Sequence, residues 1–498
     1  MRPAFPDAEA PCGGAGRCGR CRVLVEGDET SSFSPQALLS ALDEEETRLL
    51  GPENVKAGWR LSCRARFVRP GAVCIRRQEW KFFVPNLAGN VEPSSAGETG
   101  LCAAVDIGTT TIACAAADLA GGEIVARDAE TNRQRSFGPD VVSRIESAIR
   151  DPDAEGRMQT IVRRQVREML DRLRSRIADA PFRRIHICGN TTMLHIWEGA
   201  DLAGLSRMPF RPAFLDSRET TLDADGGEPY AARLLPGISA FVGADIAAGI
   251  LACDLRIALG RPELLVDIGT NGEIVLASGG RLLATATAAG PAFEGAMVSC
   301  GLPAVDGAVH RVAWENGGFS FSVLGGRPPA GFCGSGLLDL LASLRRAGLL
   351  EENGGLTSAA EINGNRAFTL PSNPPLRLTQ ADVRQLQLAK GAIAAGIRIL
   401  CRYAGIGLAE VGRVHLAGAF GSSLSAESAL AVGLLPAEWA GRIVPAGNTA
   451  LTGTLMTAVN PDALEICART AAQVLVVDLH RETDFQDAFV DSMRFPAL

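Results

Sequence analysis

Leu264–Ile274, LLVDIGTNGEI, decides how the rest of the chain is read. Apolar residues lead into Asp267, then Gly269, Thr270, Asn271 and Gly272 make a tight turn, and a second strand follows over Ile274–Ala277. The pattern predicts a buried β-hairpin whose turn holds small residues with accessible backbone N–H groups. Bare amides and hydroxyls approach oxyanions closely, so such a turn can cradle a phosphate. The carboxylate at the strand end can hold a hydrated magnesium ion. A turn of this composition can also merely connect two strands. The chain, however, has a second copy in Ala103–Ala113, AAVDIGTTTIA, with Asp106, Gly108, Thr109, Thr110 and Thr111. Two such hairpins predict a duplicated fold that closes on one nucleotide from both sides.

The chain has 498 residues, enough for two to four domains. Hydrophobic residues make up 47% and charged residues 21%, a composition that buries a core and argues against disorder. A net charge of −7 argues against general nucleic-acid binding. No apolar run reaches membrane-spanning length, and MRPAFPDAEAPC lacks the pattern of a signal peptide, so a cytoplasmic location is expected. In a reducing compartment the 13 cysteines are not a disulfide framework. The clustered ones point to metal and the scattered ones to buried thiols.

The cluster lies near the N-terminus. Cys12, Cys18 and Cys21 sit in CGGAGRCGRC, followed by the strand-like RVLVE, and Cys63 stands further on in WRLSCRARF. Three cysteines in a glycine-rich loop plus one distant cysteine approach the plant-type spacing for a 2Fe–2S cluster. Zinc is the competing reading, although structural zinc more often uses two paired knuckles. Cys74 is a substitute fourth ligand or a structural thiol. Few residues precede Cys12, so a truncated module is expected. Val84–Gly100 reads as a linker.

Beyond the first hairpin, a helix is expected to start at Pro139–Asp140, and Ile161–Ile177 reads as an amphipathic helix. RIHICGNTTM is a strand running into a turn that can reach the cleft, with His195 beyond it in a structural role. In FVGADIAAGIL, Asp245 is either a helix cap or a metal-holding, water-orienting carboxylate. Glu294 in AGPAFEGAMVSC belongs to a loop over the terminal phosphate. Gly334 and Ser335 open a helix where an anion or ribose can sit. Thr379 caps a long helix over 378–403. Gly418, Ala419 and Gly421 in RVHLAGAFGSS can leave room for a flat adenine ring, Gly447–Ala450 opens another helix, and 474–478 is a last strand.

Two phosphate hairpins, a connecting helix and a late glycine-rich turn resemble the actin-like ATPase superfamily. The run of DIGTTT, GNTTM, VGADI, DIGTNGEI, GPAFEGA, GSGLLD, QLAKGAI and HLAGAFG behind a ferredoxin module is similar, more narrowly, to the reductive activators of corrinoid-dependent methyltransferases. The resemblance implies a multi-domain α/β chain: a truncated β-grasp ferredoxin-like module over 1–83, a linker over 84–100, an actin-like, ribonuclease H-like ATPase over 101–480 with lobes of about 101–260 and 261–480, and a tail over 481–498. With Asp106 so soon after the linker, no separate middle domain is expected. The implied activity is ATP-driven, one-electron reduction of cobalt(II) to cobalt(I) in a corrinoid protein, fed by an upstream low-potential reductant. Dimerisation is plausible by the same analogy. On this reading Cys12, Cys18, Cys21 and Cys63 hold the cluster, Asp106 and Asp267 position magnesium and water, and Thr109, Thr110, Thr270 and Asn271 hold phosphates. The other readings are an electron donor to a non-corrinoid enzyme, a nucleotide-gated binding or chaperone module, and a small-molecule kinase.

Overall fold

The computed structural model describes residues 21–27, 35–69, 73–77, 98–177, 181–222, 229–255, 260–295, 297–357, 360–362, 365–418 and 424–497. Cys12, Cys18, most of the linker, Ala419 and Gly421 lie outside the described residues.

Alternation within the two Asp-bearing strands sets the architecture. In Leu101–Ile107, Ala103, Val105 and Ile107 enter one core while Cys102 and Ala104 enter another. In Glu263–Ile268, Leu264, Val266 and Ile268 enter one core and Leu265 another. A strand buried on both faces belongs in a sheet with helices on each side. Two six-stranded sheets of that kind form the body. In the first, the order is Ile124–Thr131, Thr111–Asp118, Leu101–Ile107, Phe182–Gly189, Tyr230–Leu234, Arg218–Leu222. The first three strands pair antiparallel, and the next two join in parallel. The second sheet repeats this pattern with Arg281–Thr287, Gly272–Ser278, Glu263–Ile268, Arg413–Ala417 and Ile443–Gly447. The short strand Leu475–Val476 lies beside Arg281–Thr287.

The helices follow from their own sequences. Pro152–Arg176 starts with proline in its first turn, and Asp151 accepts from the Asp153 amide as cap. Met158, Val162, Val166, Met169 and Leu173 recur at helical spacing and are buried. Gln380–Ala404 begins with a reciprocal cap between Thr379 and Asp382 and ends at Gly405 with φ 75°. Two further helices lie between the two large sheets. Ala244–Ala252 sends Ala244 and Ala248 into the first sheet's core, and Ile246 and Ile250 into the second's, beside Leu265, Val275 and Ala277. Thr449–Val459 follows a strand of the second sheet, yet its Leu451, Leu455 and Val459 pack with Cys102, Ala104 and Ala115 of the first.

The stretch 481–498, expected as a tail, is folded at its centre. Phe485–Met493 is a helix beside Gln380–Ala404, and the buried Lys390 donates to the carbonyls of Ser492 and Arg494, each at 2.6 Å. The sequence hid this because the helix makes its partners only in the folded chain.

Near the N-terminus, Arg22–Gly27 is the central strand of an antiparallel sheet with Trp59–Leu61 and Val73–Arg77. Arg60 and Glu46 form a buried bidentate ion pair at 2.9 Å, and Glu46 also accepts from the Leu61 amide. Those extra hydrogen bonds offset the desolvation of both charges. Among the described residues, no helix is long and apolar enough to cross a membrane.

Candidate functional site

The two hairpins meet tip to tip. Between them lies a cleft with an interior cavity of about 180 Å³. Asp106, Asp245 and Asp267 are on its walls, with Gly108, Thr109, Thr110, Gly269, Thr270 and Asn271 from the turns and Gly334, Ser335 and Gly418 beyond.

The first turn is held from behind. The Gly108 carbonyl accepts from Asn132 Nδ2 at 2.9 Å, the Thr110 carbonyl from the Asn132 amide at 2.8 Å, and the Thr109 carbonyl from Arg144 at 2.5 Å. With three successive carbonyls engaged from behind, the turn presents its amide side to the cleft. Asn190 caps the helix Thr191–Glu198 and also donates to Thr109 Oγ1 at 2.8 Å. Gly108 is required by space, since a Cβ there would lie 2.5 Å from the Thr111 carbonyl oxygen.

The hairpins differ in one respect that matters. Ile107 pairs with Ile112 across the first turn, whereas Ile268 pairs with Gly272 across a turn one residue shorter. The return strand is thereby shifted by one position, and a shift of one exchanges the two faces of a strand. Ala113 is therefore the residue opposite Asp106, but Glu273 is the residue opposite Asp267. Glu273 lines the cleft and is 8% exposed.

Four carboxylates thus crowd the floor. Burial raises the Asp106 carboxyl to about 6, against hydrogen bonds from Asn448 and Cys188 that lower it. Burial and then Asp106 raise Asp245 to about 7. Burial, then Asp245 and Asp106, raise Asp267 to about 8. Glu273 is also raised, first by burial and then by its acidic neighbours. Asn448 Nδ2 donates to Asp106 Oδ2 at 3.0 Å, and Asn448 also caps Thr449–Val459. Among the described residues, no three His, Cys, Asp or Glu side chains converge closely enough to ligate one metal directly. The donor set instead fits magnesium held through its own waters, because Mg²⁺ keeps several waters beside one or two carboxylates.

Glu294 lies between the tips. Its Oε2 accepts from Thr270 Oγ1 at 2.8 Å and from Thr110 Oγ1. Gly418 stands at the carboxylate end of the cleft with φ 97°, where a Cβ would lie 2.4 Å from the Ile268 carbonyl oxygen and 2.8 Å from Asp267 Oδ1. Ser335 spends its hydroxyl on the His310 carbonyl at 3.0 Å, so it offers the cleft its backbone. Gly272 is not on the cleft. It allows close packing, with Ile393 Cγ1 2.6 Å and Thr287 Oγ1 2.7 Å from where a Cβ would be. His195 is fully buried, stacked on Phe214 with centroids 4.4 Å apart, and bonded to backbone through both ring nitrogens.

At the N-terminal sheet, Cys21 Sγ and Cys63 Sγ stand 3.1 Å apart. That is longer than a disulfide bond of about 2.05 Å. Two of the four expected cluster ligands are therefore brought together, one just before the central strand and one just after Trp59–Leu61.

The sequence reading missed Asn132, Arg144 and the cleft-facing role of Glu273. A count of the turn residues in each hairpin would have signalled Glu273. Nothing local marks Asn132 and Arg144, which reach the turn through tertiary packing.

The paired sheets, crossing helices and double hairpin define an ATPase domain of the ASKHA class within a multi-domain α/β chain. Residues 101–258 match the family described as the RACo middle region, and residues 261–498 match that described as the C-terminal, ASKHA domain of RACo. The chain belongs to the RACo family. The middle-region match begins with the first hairpin's own strand, so it contains that hairpin. The chain is 29% identical over 417 residues to the corrinoid activation enzyme RamQ of Eubacterium limosum, covering 79% of this chain and 70% of that one. It is 28% identical over 302 residues to the [Co(II) methylated amine-specific corrinoid protein] reductase of Methanosarcina barkeri, covering 54% of each. A solved structure titled reductive activator for corrinoid, iron-sulfur protein superposes with a TM-score of 0.73 at 25% identity, covering 98% of this chain and 94% of that one.

Proposed function

We propose that this protein couples ATP hydrolysis to the one-electron reduction of cobalt(II) to cobalt(I) in a corrinoid protein. The observation that carries the proposal is the meeting of two Asp-Ile-Gly-Thr hairpins over shared carboxylates, in a chain whose relatives are named for corrinoid activation. The matching strand orders support a duplicated ATPase fold over 101–480, with lobes of about 101–260 and 261–480, and the three-stranded sheet near the N-terminus supports a ferredoxin-like module within 1–83 ahead of a linker over 84–100.

Thr109, Thr110, Thr270 and Asn271 would hold the phosphates with the turn amides, and Gly418, Ala419 and Gly421 would lie toward the adenosine. Asp106, Asp245 and Asp267 would orient magnesium-bound water and the attacking water. Catalysis of this kind is positioning and charge neutralisation. Cys12, Cys18, Cys21 and Cys63 would hold a 2Fe–2S cluster, which supplies one-electron transfer at low potential when bound. ATP hydrolysis offsets an unfavourable electron transfer if the nucleotide state changes contacts with the partner. The corrinoid protein, an upstream low-potential reductant and a possible second copy of the chain are the partners of this reading.

The test is an anaerobic assay with the reconstituted chain, a corrinoid protein in its cobalt(II) state and a chemical reductant. Cobalt(I) absorption that appears only with ATP is the expected result. Equal reduction with and without ATP, or no reduction by a chain that hydrolyses ATP, would reject the proposal.

A further inference from the structure

Glu294 occupies a position that the proposed chemistry does not use. Its Oε2 takes a hydrogen bond from one hydroxyl of each lobe, Thr110 and Thr270, and those hydroxyls lie 3.1 Å from each other. A hydroxyl has a single proton to donate. While Glu294 holds both, neither threonine can donate to a phosphoryl oxygen. The carboxylate rides on the short turn Pro291–Glu294, bounded by Gly290 at φ 72° and Gly295 at φ 77°. Behind the first hairpin, the fully buried Arg144 fixes Thr109 through its carbonyl, so the first tip is not free to turn away.

We propose that Glu294 lowers the cleft's preference for a nucleoside triphosphate over a diphosphate, by competing with the terminal phosphoryl group for the Thr110 and Thr270 hydroxyls. This rests on the ATPase reading above and deepens it. The terminal phosphoryl reaches furthest from the nucleoside and carries the most charge, so it is the group that meets the two tips and expels the carboxylate. A diphosphate, shorter by one phosphoryl, leaves the contact in place. Two anions held within a few ångströms repel strongly in a cleft of low dielectric. The competition therefore weakens triphosphate binding and makes it conditional on moving the turn.

The test is calorimetric titration of the full, cluster-reconstituted chain with a non-hydrolysable ATP analogue and with ADP, both with magnesium. Glu294→Gln removes the charge, and the ratio of analogue affinity to ADP affinity is expected to rise about tenfold. Glu294→Asp keeps the charge and should stay near the wild-type ratio. A ratio unmoved or lowered by Glu294→Gln overturns the proposal, as does an equal change for both ligands. Hydrogen exchange on the wild-type chain gives a second reading that needs no variant. Amides of 290–302 should exchange faster with the analogue than with ADP, and equal exchange overturns the proposal. A wild-type chain that binds neither nucleotide overturns the ATPase reading and this proposal together, whereas binding of both with an unmoved ratio overturns this proposal alone.

Discussion

Thr110 Oγ1 and Thr270 Oγ1, 160 residues apart in the chain, lie 3.1 Å from each other, and each sits in the turn of a hairpin from a different sheet. The contact makes the two hairpins one site. Thr110→Val and Thr270→Val each remove one hydroxyl, and each should weaken binding of the ATP analogue by roughly 10- to 100-fold, the scale of a lost hydrogen bond to a charged group. Because both hydroxyls serve the same acceptor, the double variant should fall short of the summed effects by at least about 0.5 kcal/mol. Strict additivity would mean that the hairpins act independently.

The carboxylates of the cleft set a pH dependence. Asp106, Asp245 and Asp267 are raised from 3.8 to about 6, 7 and 8, each chiefly by burial. The folded chain thus binds protons more tightly than the unfolded chain. Its stability contribution is complete below about pH 4 and is lost as the pH rises through 6, 7 and 8. In EDTA the melting temperature should fall between pH 5 and pH 8, and Asp267→Asn should flatten the fall. Magnesium with nucleotide should oppose it, because a cation favours the ionised form. A melting temperature in EDTA that climbs over this window would contradict the arrangement.

Gly418 has no room for a side chain and a φ of 97°. Gly418→Ala should destabilise the chain by about 1–3 kcal/mol, from backbone strain and displacement of Asp267. Hydrolysis should drop more than stability accounts for, because misplacing a catalytic group by about 1 Å costs on the order of 100-fold. Urea unfolding and steady-state ATPase rates on the same preparations separate the two effects.

Cys21 and Cys63 converge from positions flanking two paired strands. Reconstituted wild-type chain should carry about two irons with a 2Fe–2S paramagnetic signal once reduced. Cys63→Ser should lower the iron content or shift that signal, since an alkoxide donor replaces a thiolate. Full iron and an identical spectrum in the variant would remove Cys63 from the ligand set, and zinc in place of iron would reject the cluster.

Much of this site was legible because its signals are local. Asp-Ile-Gly-Thr between apolar strands is a complete hairpin instruction, and Thr379 with Asp382 spells a helix start in four residues. Asp245 is not the cap of its helix, which is Gly243: it sits in the first turn, accepts from the Ile246 amide and faces the cleft. Gly272 was misread because a glycine in a turn signals phosphate approach and close packing alike, and only the position of Ile393 decides. Arg144 and Asn132 were illegible in principle, since their partners are carbonyls more than twenty residues away.

The crossing helices carry a consequence for how the chain can be divided. The family boundary at 258–261 separates two stretches of sequence, but Ala244–Ala252 covers the sheet that follows the boundary and Thr449–Val459 covers the sheet that precedes it. Made alone, the first half would lose Thr449–Val459 from one face of its sheet and bare Ile246 and Ile250, and the second half would lose those two side chains from its core and bare Leu451, Leu455 and Val459. The halves are obligate complements: translated together they should find each other, and translated apart they should aggregate.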